Sequence, residues 1–148
     1  RRTAFGKRYV WWIKDKLNFK QMETAATLFV GMKNLQSFTA DDPEDKSTKV
    51  LIEEIEMKEV GDLILIRIYG SHFLWKLVRQ IVGNIVEVGR GKLTLEKIQH
   101  YIKVHSDEPA KFTAPPSGLF LEHVYYQGEK KLEELDPTLN IVTSPYKN

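Results

Sequence analysis

The sequence of 148 residues predicts one α+β domain built on an antiparallel sheet. Hydrophobic residues make up 42% of the chain and charged residues 28%, the balance of an ordinary folded domain with one core. Segments rich in β-branched and aromatic residues alternate with segments of helical apolar spacing. A tight turn, Gly61-Asp62, joins two of the strand-like segments, which makes that pair antiparallel.

The first half of the chain predicts a strand, a helix, a loop and a hairpin, in that order. Asn18 is a good N-cap, and Gly31 stands where the helix that follows would stop. The loop carries a cluster of acidic residues at its tip. The predicted bounds are Phe5–Lys14 for the strand, Asn18–Val30 for the helix, Asn34–Lys49 for the loop, and Val50–Val60 and Leu63–Tyr69 for the hairpin.

The second half predicts two helices, a proline-containing loop and a last strand. The segment Phe73–Val88 is apolar nearly all round, which predicts a largely buried helix. Thr94 caps an amphipathic helix to Val104. A loop over Ser106–Ser117 leads into a strand over Gly118–Tyr126. We therefore expect a domain over 1–126 and a polar tail over 127–148.

The resulting order, β-α-β-β-α-α-β, is that of the ferredoxin-like fold. It predicts a four-stranded antiparallel sheet with the helices packed on one face. The fold hosts many functions, so the function has to be argued from the site.

Several classes of site are disfavoured by composition. Cysteine is absent, so neither a disulfide nor a thiolate metal site is expected, and a reducing, cytoplasmic location is the default. His100 and His105 lack a second pair of ligands, and no glycine-rich phosphate loop is present, so no metal or cofactor is expected. The apolar stretch Phe73–Val88 is too short and too polar to span a membrane.

Charge is unevenly distributed along the chain. Residues 1–33 carry a net charge of +6 and residues 67–103 one of +5, whereas residues 34–66 carry −6 and residues 104–148 carry −3. If the fold joins the two basic blocks, they form a face suited to a phosphate-rich partner. The alternative is an ordinary solvated surface of mixed charge. In the first strand, Arg8 and Tyr9 belong to a mixture of cations and aromatics that suits phosphate contact and base stacking.

Arg79 is the most informative residue of the predicted helix over Phe73–Val88. It lies at the margin of a polar stripe, and Gly83 one turn later would leave the helix surface open. A partly buried cation needs an anionic partner. Either Glu122 or Glu87 supplies it in a structural ion pair, or the arginine orients a carboxylate or phosphate of functional importance. The stripe consists of Lys76, Gln80, Asn84 and Glu87.

Three segments together resemble the tRNA pseudouridine synthase A (TruA) family. They are Lys-Arg-Tyr at 7–9, Ser-His-Phe-Leu-Trp-Lys-Leu-Val-Arg-Gln-Ile-Val-Gly at 71–83, and Ala-Pro-Pro-Ser-Gly-Leu-Phe-Leu at 114–121. The second is similar to the family pattern F-x-x-x-M-V-R-x-I-V-G, with Leu77 where methionine is common. The segments at 28–31 and 37–40 resemble a further family pattern. The resemblance extends over about 5–126 and corresponds to the C-terminal half of the family.

The resemblance implies isomerisation of uridine to pseudouridine in tRNA without a cofactor. In the family, an aspartate starts cleavage of the glycosidic bond of a flipped-out uridine, and the base rotates and is reattached through carbon. Arg79 matches the arginine that pairs with that aspartate and lowers its pKa. Tyr9 matches the tyrosine against the target base, and Leu119 matches an apolar residue of the pocket wall. The substrate-binding residues that we predict on this basis are Tyr9, Leu119, Gly118, Arg8 and Lys76.

One family motif is missing from the chain. The catalytic aspartate belongs to an R-T-D-x-G-V-H pattern in the N-terminal half, whereas here Arg2-Thr3 is followed by Ala4. We therefore expect an isolated second half that is inactive alone, with tRNA, the missing half and a second copy in a homodimer as partners. Two alternatives remain: a ferredoxin-like RNA-binding module without catalysis, and a ferredoxin-like structural or oligomerisation domain.

Overall fold

The computed structural model describes residues 10–118. In this part of the chain the sheet has three antiparallel strands in the order β1-β2-β3. None of the helices described is long and apolar enough to cross a membrane. The elements are α1 (Phe19–Thr27), β1 (Gly31–Asn34), a 3₁₀ helix (Gln36–Phe38), β2 (Lys49–Val60), β3 (Leu63–Gly70), α2 (Leu77–Gly89), α3 (Leu95–Lys103) and a second 3₁₀ helix (Glu108–Phe112).

The predicted hairpin and both predicted helix caps are confirmed. β2 and β3 join through Gly61, whose φ of 59° lies in the left-handed region that glycine tolerates. The side chain of Asn18 accepts from the Gln21 N–H at 3.1 Å, and that of Thr94 accepts from the Lys97 N–H at the same distance. These bonds satisfy amides at the first turns of α1 and α3 that have no intrahelical partner.

A β-bulge keeps the apolar residues of β2 on one face of the sheet. Val50 and Ile52 are fully buried, and the next apolar residues are Ile55 and Met57, one position out of strict alternation. The register shifts between Ile52 and Glu54, which inserts the one extra residue that this pattern requires. All four apolar side chains therefore belong to one core.

The helices pack on one face of the sheet, as expected for a ferredoxin-like α+β fold. α1 packs against α2, and both share a core with buried residues of β2. The Phe29 and Phe38 rings meet edge to face with centroids 5.0 Å apart, and Tyr101 of α3 contacts Phe38 at 6.3 Å. The aromatic cluster joins the residues just after α1, the first 3₁₀ helix and α3.

The sequence prediction missed β1 over 31–34, just before the predicted loop, and the 3₁₀ helix over 36–38 within that loop. Leu35 and Phe38 are fully buried. A four-residue strand is too short to show alternation in the sequence, and its pairing with β2 is what defines it.

The first predicted strand is wrong over its described part. Residues 10–14 have no strand assignment, and the Trp11 ring lies under the Arg90 guanidinium at 5.9 Å. Residues 5–9, the remainder of the strand over Gly118–Tyr126, and the tail over 127–148 lie outside the described residues.

α2 begins four residues later than predicted. Trp75 is held by tertiary bonds: its N–H donates to Asp41 Oδ2 at 2.7 Å, and its carbonyl accepts from Thr39 Oγ1 at 2.9 Å. Lys76 then adopts a left-handed φ of 62°. A helix cannot pass through that conformation, so α2 starts at Leu77. Phe73 is consequently 44% exposed rather than part of a buried helix.

We expect Phe29→Ala to lower the free energy of unfolding by about 3–5 kcal/mol, because it leaves a cavity in the aromatic cluster. Trp75→Ala is the matched control, since that side chain is 63% exposed, and we expect a change within about 0.5 kcal/mol. Urea unfolding of both variants measures the difference. Equal losses would contradict this description of the core.

Candidate functional site

Arg79 is tied to one residue of the segment that follows the second 3₁₀ helix. Its Nε–H donates to the carbonyl oxygen of Ala114 at 2.7 Å, and its own carbonyl accepts from the Ala114 N–H at 2.9 Å. The arginine is half-buried and stands in the first turn of α2. The two bonds fix the root of its guanidinium against the main chain.

Gly83 lets that segment lie against α2. A Cβ at position 83 would stand 1.5 Å from the carbonyl oxygen of Phe112 and 2.9 Å from the Ala114 nitrogen. The expectation that Gly83 leaves an open helix surface is therefore wrong, because main chain fills the space. Asn84 adds a further tie, since its Nδ2 donates to the Pro109 carbonyl at 3.1 Å and to the Gln80 carbonyl at 2.7 Å.

Three of the four residues of the predicted polar stripe are buried. Gln80, Asn84 and Glu87 are at most 8% exposed, and only Lys76 faces solvent. The segment over 109–114 covers the middle of the stripe. At the end of the stripe, an ion pair with Arg90 neutralises Glu87. A polar face that sequence spacing assigns to solvent is thus an interface within the fold.

The proposed structural pairing of Arg79 with Glu87 is wrong. Glu87 Oε2 pairs with Arg90 Nη1 at 2.5 Å, and Arg90 Nε lies 2.9 Å from Asp15 Oδ2. The other candidate, Glu122, lies outside the described residues. Among residues 10–118, no carboxylate forms an ion pair with Arg79.

The use of Nε restricts how Arg79 binds an anion. Ala114 occupies the Nε–H, so the side-on approach to Nε and one Nη is closed to a carboxylate. The end of the fork, with Nη1 and Nη2, is the part left for bidentate pairing. The site is thus suited to orienting one carboxylate end-on.

The other predicted site residues divide into two groups. Lys76 is exposed on the turn before α2, with its Nζ 5.1 Å from the centre of the Trp75 ring. Gly118 lies four residues after Ala114 and has a φ of 87°, which favours glycine. Arg8, Tyr9 and Leu119 lie outside the described residues. Of the predicted set, the structure describes Arg79, Lys76 and Gly118.

Sequence reasoning missed Asn84 and Ala114 as parts of this arrangement. The only available signal was an asparagine directly after a glycine inside a strongly apolar helix, which is unusual for a residue that prefers caps and turns. Ala114 carries no polar side chain, so its contribution through main-chain groups leaves no mark in composition.

A second contact holds the start of the segment over 108–114 that covers α2, which we call the covering segment. The Tyr101 hydroxyl donates a hydrogen bond to Glu108 Oε2 at the beginning of the second 3₁₀ helix. Burial, followed by the bond to and the charge of Glu108, raises the pKa of Tyr101 to about 12. The same hydrogen bond, followed by the charge of Lys97, lowers the pKa of the Glu108 carboxyl. Elsewhere in residues 10–118, no group of three His, Asp or Glu side chains is placed to hold a metal ion.

The comparisons with known proteins identify the family. Residues 25–127 match the family model for tRNA pseudouridine synthase, a range that includes α2 and the Ala114 segment. The chain belongs to the tRNA pseudouridine synthase family. It is 36% identical over 125 residues to tRNA pseudouridine synthase A of Thermosipho melanesiensis, covering 84% of this chain and 51% of that protein. Over 126 residues it is 33% identical to the Geobacter sulfurreducens protein of the same name, covering 85% of this chain and 52% of that protein. The chain thus spans about half the length of these pseudouridine synthases.

The Tyr101–Glu108 contact predicts a pH dependence of stability. The pKa of Tyr101 is raised from 10.0, so its stabilising effect is present below pH 10 and lost as pH rises toward 12. The pKa of Glu108 is lowered from 4.5, so its effect is present above that pH and lost on acidification. The stability difference between wild type and Tyr101→Phe should therefore be largest between these limits. Chemical unfolding at several pH values measures it, and a difference that stays constant to pH 12 would contradict the contact.

Proposed function

We propose that this chain supplies the arginine-bearing half of the active site of a tRNA pseudouridine synthase. The observation that carries the proposal is the state of Arg79: its root is fixed by Ala114, and it pairs with no carboxylate among residues 10–118. It stands within the segment that resembles the family signature, inside the range that matches the family model.

In this proposal, Arg79 orients a catalytic aspartate contributed by the part of the protein that the relatives have in addition to the matched region. A guanidinium that binds a carboxylate end-on holds both oxygens in one plane and keeps the carboxylate ionised, because a nearby cation lowers its pKa. An ionised, aimed aspartate is what the first step of uridine isomerisation needs. The reaction rearranges one nucleoside, so it consumes no second substrate and needs no cofactor.

The substrate is a uridine of tRNA that leaves the base stack to reach the aspartate. Tyr9 and Leu119 would lie against the base, Gly118 would shape the wall beside Leu119, and Arg8 and Lys76 would contact the phosphates. Lys76 is suited to this role because it is exposed and one turn from Arg79. The tRNA, the additional half and a second copy of the protein are its proposed partners, in the cytoplasm.

The first test is substitution of Arg79 in the full-length gene product that contains this chain. We expect Arg79→Ala to lower kcat by about 10²–10³, the size of losing one preorganised charged contact. Arg79→Lys should recover little, because a lysine ammonium is a single point charge and lacks the planar fork that binds Ala114 through Nε and a carboxylate through the two terminal nitrogens. Pseudouridine formed in a tRNA transcript is measured.

Lys92→Ala is the control for this test, since it removes an exposed cation at the far end of α2. It should leave kcat unchanged. Normal turnover of Arg79→Ala would reject the catalytic role of Arg79, whereas absence of pseudouridine formation by the wild-type protein would favour an RNA-binding module without catalysis.

Salt dependence separates phosphate contacts from the proposed pairing. We expect binding of tRNA to weaken steeply with salt, because phosphate contacts release counterions. Lys76→Ala should weaken binding and reduce the salt slope by about one contact, whereas Arg79→Ala should leave the slope unchanged. Filter binding between about 50 and 200 mM salt measures both. A slope reduced by Arg79→Ala instead would make that residue a phosphate contact.

A further inference from the structure

We infer that Gly83 and Asn84 are positioning residues for Arg79, acting through the main chain over 109–114. The effect of these residues on catalysis rests on the proposed function of Arg79.

The Ala114 carbonyl is the only group among residues 10–118 that binds the Arg79 side chain, so its location decides where the guanidinium stands. Three contacts along one side of α2 fix that location. The Ala114 N–H binds the Arg79 carbonyl at 2.9 Å, the Phe112 carbonyl occupies the space above Gly83, and the Pro109 carbonyl accepts from Asn84. Residue 83 lies one helical turn after residue 79, and residue 84 comes next. The segment over 109–114 is therefore held to α2 at both of its ends and in its middle.

Gly83 acts by the absence of a side chain. Any Cβ there would meet the Phe112 oxygen at 1.5 Å, and that atom is main chain that cannot rotate away. The segment would have to move off the helix, and Ala114 lies two residues after Phe112. A shift of about 1 Å in a catalytic contact is enough to lower a rate by up to about 10²-fold.

Asn84 acts through its amide nitrogen. It is fully buried, and both of its N–H donors are used, one of them on Pro109. Its Oδ1 has no hydrogen-bond partner among the described residues. A buried acceptor without a partner is unfavourable, and an apolar residue of similar size would avoid it. What the amide provides in return is a fixed location for the Pro109 carbonyl.

The same segment joins the two parts of the proposed site. Ala114 carries the acceptor for Arg79, and Gly118 follows four residues later in the stretch that resembles the family's base-pocket motif. Contacts at Gly83 and Asn84 therefore set the distance between the arginine and the beginning of that stretch.

The experiment compares Gly83→Ala and Asn84→Leu with Tyr101→Phe in the full-length gene product. Tyr101→Phe is the matched control, because it releases Glu108 at the start of the same segment and leaves the Pro109, Phe112 and Ala114 contacts in place. Asn84→Leu keeps the test decisive if Gly83→Ala does not fold.

Two readouts are measured. Hydrogen exchange of the Arg79 Nε–H, followed in protein labelled with ¹⁵N-arginine, should be slow in wild type and in Tyr101→Phe, and at least about tenfold faster in the other two variants, because the acceptor has moved. In Gly83→Ala and Asn84→Leu, the kcat of pseudouridine formation should fall by about 10- to 100-fold while KM stays within about threefold of wild type. The reason is that a misplaced arginine impairs the reaction and not the binding of tRNA.

Unchanged Nε–H exchange in Asn84→Leu would overturn the inference, as would an equal loss of kcat in Tyr101→Phe. The two proposals fail separately. If Arg79→Ala retains full activity, the proposed function is rejected, and the exchange measurement still decides whether Gly83 and Asn84 hold the arginine.

Discussion

The close approach of the segment over 109–114 to α2 is the constraint on which the site depends. It requires a residue without Cβ at position 83, and it converts the polar side of the helix into an internal interface. The approach also pairs Arg79 with Ala114 through both main chain and side chain. Without this contact, the arginine would be a long flexible cation on a helix surface, with no defined direction.

The covering segment is itself held from the opposite side of the core. Tyr101 contacts Phe38 in the aromatic cluster and donates a hydrogen bond to Glu108, so the cluster also holds the start of the segment. The Ser106 N–H donates to the Ser37 hydroxyl at 2.9 Å, which adds a tie to the same 3₁₀ helix. Packing far from Arg79 thereby holds the start of the segment, while the contacts with α2 decide where the Ala114 acceptor lies.

The features predicted correctly from the sequence are those whose signals are local. The hairpin follows from its apolar strands and Gly61, and the starts of α1 and α3 follow from the caps Asn18 and Thr94. The start of α2 was not predictable, because the bonds from Asp41 and Thr39 that hold Trp75 come from another part of the chain. Tertiary contacts override helical periodicity there.

The candidate site was predicted only in part, because some of its contacts also come from distant parts of the chain. The resemblance singled out Arg79, Lys76 and Gly118, but the burial of the polar stripe depends on a segment about thirty residues away in sequence. Helical spacing correctly places Gln80, Asn84 and Glu87 on one side. It says nothing about what covers that side, and polarity alone suggested water.

The two arginines associated with α2 show why Arg79 is the functional candidate. Arg90, at the C-terminal end, pairs with Glu87 and Asp15 and stacks on Trp11, so its charge is compensated by contacts that hold the 10–18 segment to the helix. Arg79 is half-buried with a fixed root, and among residues 10–118 it has no carboxylate partner. Partial desolvation raises the cost of an unpaired charge and also strengthens its attraction to an anion that arrives later. An arginine in that state is prepared to bind a carboxylate end-on, which is the role that we propose for it.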